Sequence, residues 1–248
     1  MISVCIATYN GEKYILEQLQ SILPQLSADG EIIISDDHST DRTIEVISSI
    51  RDPRIHMYFH DSDIDARFTI DHSTHNFENA LLHAKGDIIF LSDQDDYWLP
   101  EKIQVMSKAL EFSDLAISDC IIGNEKLQPT KLLYSDLRAF KTGLLNNLLQ
   151  SHYLGCCMAF KKEVLIKALP FPKHGVAHDL WLGMTAEQFF NVKYISQPLS
   201  IYRRHANTVT ASGKSNDTSM AFKIKYRLYI IKALLQHNFL PQLSLYYI

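Results

Sequence analysis

Glycine-lined phosphate loops are missing from this chain. No Gly-x-Gly-x-x-Gly follows its first strand-like segment, and no Gly-x-x-x-x-Gly-Lys occurs in its 248 residues. A dinucleotide or P-loop site cradled by a helix N-terminus is therefore not expected, and a ligand must be held by side chains and a metal. Cysteine is scarce. The four residues Cys5, Cys120, Cys156 and Cys157 form no Cys-x-x-Cys pair, and the last two are adjacent. That spacing suits neither zinc chelation nor a disulfide framework, so reduced, buried thiols are expected. No apolar run approaches the ~20 residues of a membrane span. The apolar segment 2–7 is too short for a signal peptide and leads straight into a polar motif, so the expected location is cytoplasmic. Acidic residues nearly vanish towards the end. From Gln197 onward there are seven Lys or Arg and one acid, Asp217, so a net charge of -4 divides into -10 over the first 196 residues and +6 beyond them.

What is present reads as a parallel α/β sheet. Hydrophobic residues at 46% and charged residues at 21% are ordinary for a globular domain, and the length allows one substantial domain plus an appendage. Strands are expected over 2–7, 31–35, 54–59 and 88–91. Between them lie helices carrying Ile15, Leu19 and Ile22, then Ile44, Ile47 and Ile50, and after a polar loop over 60–73 a helix over 76–84. Strand and helix alternate about every 30 residues, as in a parallel sheet. The strands end in Thr8-Tyr9-Asn10, Asp36-Asp37 and Asp93-Gln94-Asp95, and in such sheets ligands bind outside the strand carboxyl ends.

The third of these ends organises the chain. A short apolar run stops at Asp93, Asp95 and Asp96, three carboxylates within four residues, and Pro100 then opens a helix with Ile103, Met106 and Leu110 on one face. Carboxylates so crowded repel unless a cation sits among them, and a hard divalent ion facing phosphates, Mg2+ or Mn2+, is the natural one. A solvated acidic turn capping the helix is the alternative. Further on, strands are expected over 114–122, 156–160, 192–195 and 199–202, and helices over 143–150, 162–168 and from His178 to about residue 190. The stretch 211–218, rich in Ser, Thr, Asn and Gly, reads as a linker.

The motifs together resemble family 2 inverting glycosyltransferases of the GT-A fold, on the branch with rhamnosyltransferase-like enzymes of bacterial surface polysaccharide synthesis. They are Ala7-Thr8-Tyr9-Asn10-Gly11, Ser35-Asp36-Asp37-x-Ser39-x-Asp41, Asp93-Gln94-Asp95-Asp96-x-Trp98-x-Pro100-x-Lys102, Gly155-Cys156-Cys157-Met158-Ala159-Phe160, His178-Asp179-Leu180-Trp181 and Tyr202-Arg203-Arg204-His205. The resemblance covers about residues 1–210 and implies a Rossmann-like, mostly parallel central sheet flanked by helices, followed by a helical tail over 211–248. The loop Asp61-Ser62-Asp63-Ile64-Asp65-Ala66-Arg67 departs from the short, glycine-bearing form usual in the family.

The resemblance implies roles for individual residues. Thr8 and Tyr9 would line the nucleotide, with Tyr9 against the base and Asp37 accepting its ring N–H, which selects uracil or thymine. Asp93 would contact the ribose or a metal-bound water, Asp95 would hold the metal that bridges the diphosphate, and Asp96 would cap the helix. Arg203 would neutralise phosphate charge, and His205 would contact metal or phosphate. Asp179 is the expected general base, because direct displacement at an anomeric carbon needs a carboxylate opposite the leaving diphosphate. Trp181 reads equally as core or as a sugar-site aromatic. No cysteine is needed as a nucleophile.

The implied activity moves a sugar from a UDP- or dTDP-sugar to a hydroxyl of a surface glycan precursor, with Mn2+ or Mg2+, a glycan or lipid-linked glycan acceptor and no nucleic acid. The alternative is a catalytically silent sugar-nucleotide-binding or scaffold subunit. In the tail, 219–236 places Ile224, Leu228, Ile231 and Leu235 on one helical face among Lys223, Lys225, Arg227 and Lys232. Such a helix packs on the core or on a second copy of the chain in a homo-oligomer, with peripheral membrane contact as the other reading.

Overall fold

The computed structural model describes residues 1–60, 66–204 and 220–239. In chain order the elements are β1 (Ile2–Thr8), α1 (Ile15–Ile22), β2 (Glu31–Asp36), α2 (Thr43–Ser49), β3 (Ile55–Phe59), α3 (Thr69–Leu82) and β4 (Ile88–Asp93). There follow β5 (Tyr97–Trp98), α4 (Lys102–Leu110), β6 (Leu115–Gly123), β7 (Pro129–Leu133), α5 (Tyr134–Leu137) and α6 (Leu144–Leu149). A 3-10 turn at Gly155–Cys157 leads into β8 (Met158–Lys161), α7 (Lys162–Ala168), α8 (His178–Phe189), β9 (Val192–Arg203) and α9 (Met220–Phe239).

One mixed sheet runs β3-β2-β1-β4-β8-β6-β9-β5, with β7 paired to β6. Its first four strands are parallel, β8 is antiparallel to both β4 and β6, and β9 is parallel to β6. Successive side chains of a strand point to opposite faces, so the continuous apolar runs serve two cores. Val4, Ile6, Ile32, Ile34 and Phe90 pack under α1 and α4, whereas Cys5, Ile33, Ile89 and Leu91 pack against α3, α7 and α8. All the strand ends that carry polar motifs emerge together at one edge of this sandwich.

The structure departs from the expected elements where polar residues are buried. Helix α3 begins at Thr69, well inside the stretch expected as a polar loop. The Asp71 carboxylate accepts the N–H groups of Arg67 at 2.9 Å and Phe68 at 3.0 Å, satisfying donors that a helix start leaves open. Thr74 and Asn76 are also buried, bonded to the carbonyls of Val176 and Thr8. Pro100 does not open α4. The Tyr97–Trp98 strand precedes it, pairs with β9, and Glu101 takes a left-handed φ of 74° before the helix starts at Lys102. The two strands expected over 192–202 are one, β9, which absorbs Pro198 through register shifts against β6.

The tail helix belongs to the core of the domain. Ile230 and Ala233 are buried in the same cluster as Trp181 and Phe171. Trp181 itself is core: it is 1% exposed, and its indole N–H donates to the Ala168 carbonyl at 2.8 Å. His237 of α9 lies edge-on to that indole at 5.1 Å and contacts the Lys167 carbonyl at 2.6 Å. Among the described residues no helix is long and apolar enough to cross a membrane.

Candidate active site

The first two strand ends are knitted together by a buried carboxylate. Asp36, fully buried, accepts the Thr8 hydroxyl, the Ser39 hydroxyl and the Ser39 N–H, each at 2.7 Å. Thr8 is itself buried, so its hydroxyl shapes the loop from within, and its carbonyl accepts the Asp37 N–H at 2.9 Å. Asp37 then reaches the rim, where its carboxylate lies 3.3 Å from His60 Nδ1. Tyr9 projects beside it with 56% of its surface exposed. Gln94 fixes the Tyr9 backbone through its amide and packs against Gly11, where a Cβ would collide with the Gln94 side chain. An exposed ring and a carboxylate acceptor thus stand side by side at adjacent strand ends.

The acidic loop converges on a different set of atoms from the expected one. Donor atoms of Asp93, Asp96 and Cys156 lie within 4.8 Å of one another. Asp96 does not cap α4. The short β5 turns its side chain inward, where it is fully buried, with one oxygen accepting the Arg203 N–H at 2.9 Å and the other, Oδ2, without a hydrogen-bond partner. A buried, unpaired carboxylate oxygen is costly unless a cation or proton meets it. Burial, then the charges of Asp95 and Asp93, holds the Asp96 carboxyl well above the usual carboxylate range. Burial, then Asp95 and Asp179, pushes Asp93 up to about 7. The carboxylates fit a hard divalent ion: Asp93 and Asp96 converge, Asp95 adds charge from beside them, and Asp96 Oδ2 has no hydrogen-bond partner. The Cys156 thiol, held protonated chiefly by its bond to Cys157 and by burial, is a neighbour of the ion and not a ligand for it.

Two buried cations hold this loop from below. Arg203, expected at the phosphates, is 3% exposed and has its guanidinium engaged by protein. It donates to the Asp95 carbonyl at 2.5 Å, the Glu125 carbonyl at 2.5 Å and the Glu17 carboxylate at 2.6 Å, and stacks 4.6 Å over Tyr14. A phosphate contact would require these bonds to be given up, so its visible work is to fix the acidic loop. Lys102, fully buried, donates to the Cys156 carbonyl at 2.5 Å and sits 4.5 Å over the Trp98 ring. It thereby locks the 3-10 turn that carries Cys156. His205 lies outside the described residues, as do residues 61–65 of the long loop.

Asp179 stands on the first turn of α8, half-buried, with its carboxylate accepting the Leu180 N–H at 2.6 Å. Its Cβ lies 3.5 Å from where a Cβ on Gly155 would sit, one residue from Cys156, so Asp179 stands beside the acidic cluster. His178 beside it is buried, stacked 3.9 Å on Phe77, with neither ring nitrogen hydrogen-bonded, and burial pulls its pKa down. Its ring fits because residue 155 is glycine: a Cβ there would lie 2.9 Å from His178 Nε2. Tyr226 of α9 packs nearby, its phenol pushed up to about 12 by burial and by the Asp179 charge.

Sequence reasoning missed Asp96 and Cys156 as converging atoms, and Tyr226 as a group that feels the Asp179 charge. For Asp96 a signal existed in Tyr97-Trp98, two strand-favouring aromatics between the acids and Pro100. For Cys156 and Tyr226 no local signal existed, since both arrive from distant segments.

The sheet order, with polar strand ends and an acidic cluster at one edge, is that of a GT-A fold. The model of glycosyl transferase family 2 matches residues 3–169. The chain belongs to that family and is a nucleotide-sugar-dependent glycosyltransferase. The dTDP-rhamnosyl transferase RfbG of Shigella flexneri is 28% identical over 245 residues, spanning 90% of this chain and 77% of that protein. The UDP-Glc:alpha-D-GlcNAc-diphosphoundecaprenol beta-1,3-glucosyltransferase WfaP of Escherichia coli is 28% identical over 265 residues, 96% of each. Among solved structures, S. aureus TarS 1–349 in complex with UDP-GlcNAc superposes with a TM-score of 0.66 at 18% identity, covering 96% of this chain and 73% of that one. The mannosyltransferase PcManGT of Pyrobaculum calidifontis in complex with GDP-Man and Mn2+ gives 0.57 at 20% identity, covering 95% and 62%. At these identities the structures speak for the fold.

Proposed function

We propose that this protein is a metal-dependent inverting glycosyltransferase that moves a sugar from a UDP- or dTDP-sugar to a hydroxyl of a surface glycan precursor. The observation that carries the reading is the closeness of Asp179 to Gly155, 3.5 Å from where a Cβ there would sit, next to Cys156, whose thiol lies within 4.8 Å of donor atoms of Asp93 and Asp96. That stands a candidate carboxylate base beside a cluster suited to a divalent ion. Asp93 and Asp96, with Cys156 beside them and Asp95 adding charge, would hold Mn2+ or Mg2+, and a metal there supplies positive charge for a leaving diphosphate. The exposed face of Tyr9 suits stacking with a pyrimidine, and Asp37 suits an imide N–H donor, present in uracil and thymine. Asp179 takes the acceptor hydroxyl's proton as that oxygen attacks the anomeric carbon, so the displacement inverts in one step without a protein nucleophile. The relatives named for dTDP-rhamnosyl transfer and for a UDP-Glc donor with a diphosphoundecaprenol-linked acceptor support a polyprenyl-linked or related glycan acceptor.

Calorimetric titration of UDP and dTDP, with Mn2+ and with EDTA, tests the donor site. Binding should need the metal, be lost in Asp93→Ala and weaken in Asp95→Ala, while Asp179→Asn binds nucleotide normally and loses transfer by roughly three orders of magnitude. Failure of both nucleotides under every metal condition would sink the donor-site reading. Normal donor binding without transfer to any acceptor would favour the scaffold alternative.

A further inference from the structure

Helix α9 is apolar on two faces, and among the described residues only one of them packs into the core. Its inner face carries Tyr226, Ile230, Ala233 and Leu234 into the core. The four residues Ile224, Leu228, Ile231 and Leu235 lie on the other side, 53%, 59%, 37% and 52% exposed. They recur at i, i+4, i+7 and i+11 and so form one narrow stripe along the helix. The exposed Lys225 and Lys232 border it on one side. Arg227 borders it on the other, where its guanidinium donates to the Leu149 carbonyl at 2.6 Å. That bond joins α9 to α6, which turns two further leucines outward, Leu145 at 69% and Leu149 at 56% exposed. Neither helix contains a carboxylate, and no acid occurs from residue 137 to 162, a stretch that includes Arg138 and Lys141.

We propose that the outward face of α9, extended by α6, docks the enzyme on the surface of an anionic phospholipid bilayer. The geometry fits that occupant. Leucine and isoleucine side chains on a helix lying in the interface enter the acyl boundary while flanking lysines meet headgroup phosphates. A second copy of the chain fits worse, because a two-fold contact would bring Lys225, Arg227 and Lys232 against their own images without one acid on either helix to relieve them. This docking stands on α9 and α6 alone and does not depend on the donor site. Its bearing on catalysis does rest on the functional reading. The opposite face of the helix that meets the lipid carries Tyr226, whose phenol feels the Asp179 charge, so docking would bring the proposed base towards the membrane surface and a hydroxyl on a lipid-linked acceptor.

Vesicle flotation of the full chain tests it, with phosphatidylglycerol-containing vesicles against phosphatidylcholine alone. Wild type should float with the anionic vesicles and be partly released by salt. Leu228→Gln with Ile231→Gln should weaken binding about tenfold or more. Lys225→Gln with Lys232→Gln should weaken it about fivefold per lysine, and only on anionic vesicles. UDP titration of every variant shows that each folds and keeps a donor-site failure separate from a docking failure. The proposal is overturned if wild type floats with no vesicle, or if the glutamine variants float as wild type does. It is equally overturned if wild type is a dimer in solution that Leu228→Gln with Ile231→Gln dissolves.

Discussion

Gln94 serves Tyr9 as an adjacent strand would: its Oε1 accepts the Tyr9 N–H and its Nε2 donates to the Tyr9 carbonyl, both at 3.0 Å. One side-chain amide thus completes the backbone bonding of the residue expected to meet the base, and couples that residue to the acidic loop. Gln94→Ala should raise the UDP dissociation constant about tenfold with a small change in melting temperature, since two exposed hydrogen bonds are lost. Gln94→Glu should be worse, because a carboxylate would face the Tyr9 carbonyl and join Asp93, Asp95 and Asp96. Calorimetry on the three proteins decides; equal affinities would show that Tyr9 does not position the nucleotide.

The acidic cluster predicts an unusual pH response. Asp93 holds its proton to about 7 in the metal-free fold, whereas an unfolded aspartate loses it near pH 4. Between those values the folded state binds more protons than the unfolded one, so this group's contribution to stability falls as pH rises through the window. A divalent ion competes with that proton, and its binding strengthens over the same range. Differential scanning fluorimetry should show Mn2+ raising the melting temperature more at about pH 7.5 than at about pH 5.5. Asp93→Asn should lose most of that increment. An increment independent of pH would remove Asp93 from the ligand set.

Gly155 makes room for His178 and Asp179, the proposed base. Its Cα lies where a Cβ would press on His178 Nε2 and sit 3.5 Å from Asp179 Cβ, and the His178 ring is backed by Phe77. Gly155→Ala should cost about 1–3 kcal/mol by overpacking and lower the transfer rate through a displaced Asp179. UDP affinity should hardly change. Denaturant unfolding and nucleotide titration separate these effects, and a variant with normal turnover would show the ring free to move.

Arg203→Met should destabilise the protein by about 3 kcal/mol, a value reduced because its Glu17 partner is half-exposed. Metal-dependent nucleotide binding should weaken with it, because the Asp95 carbonyl loses its donor. Arg203→Lys should rescue little: one ammonium cannot reach the Asp95 carbonyl, the Glu125 carbonyl and Glu17 together. Full rescue by lysine would mean that charge alone matters there.

The parallel half of the fold was legible because its strands are buried on both faces, and continuous apolar runs such as 32–34 and 88–91 have few other interpretations. The Thr8, Asp37 and Asp93 loops followed directly, since each terminates such a run. Thr69 to Ser73, with Asp71 among them, misled because their polarity looks like a loop, whereas in the fold they open α3 and Asp71 is buried and bonded to backbone. The tail misled in the opposite way. Its most regular stripe, Ile224 to Leu235, looked like the packing face, yet the core takes the less regular face with Tyr226, Ile230 and Ala233. Periodicity finds an apolar face but does not say what covers it.

The reach of Arg203 also bears on how the enzyme is made. The acidic loop is in place by residue 96, yet its supports arrive much later: Cys156 after sixty more residues, and β9, which pairs with Tyr97–Trp98 and ends in Arg203, later still. On the ribosome, where domains emerge from the N-terminus, the parallel half is complete while its acidic loop still lacks a floor. An N-terminal fragment that stops before β9 would therefore keep the parallel strands and lose the support of the acidic loop, and a polypeptide interrupted in synthesis would carry the parallel half with that loop unbraced.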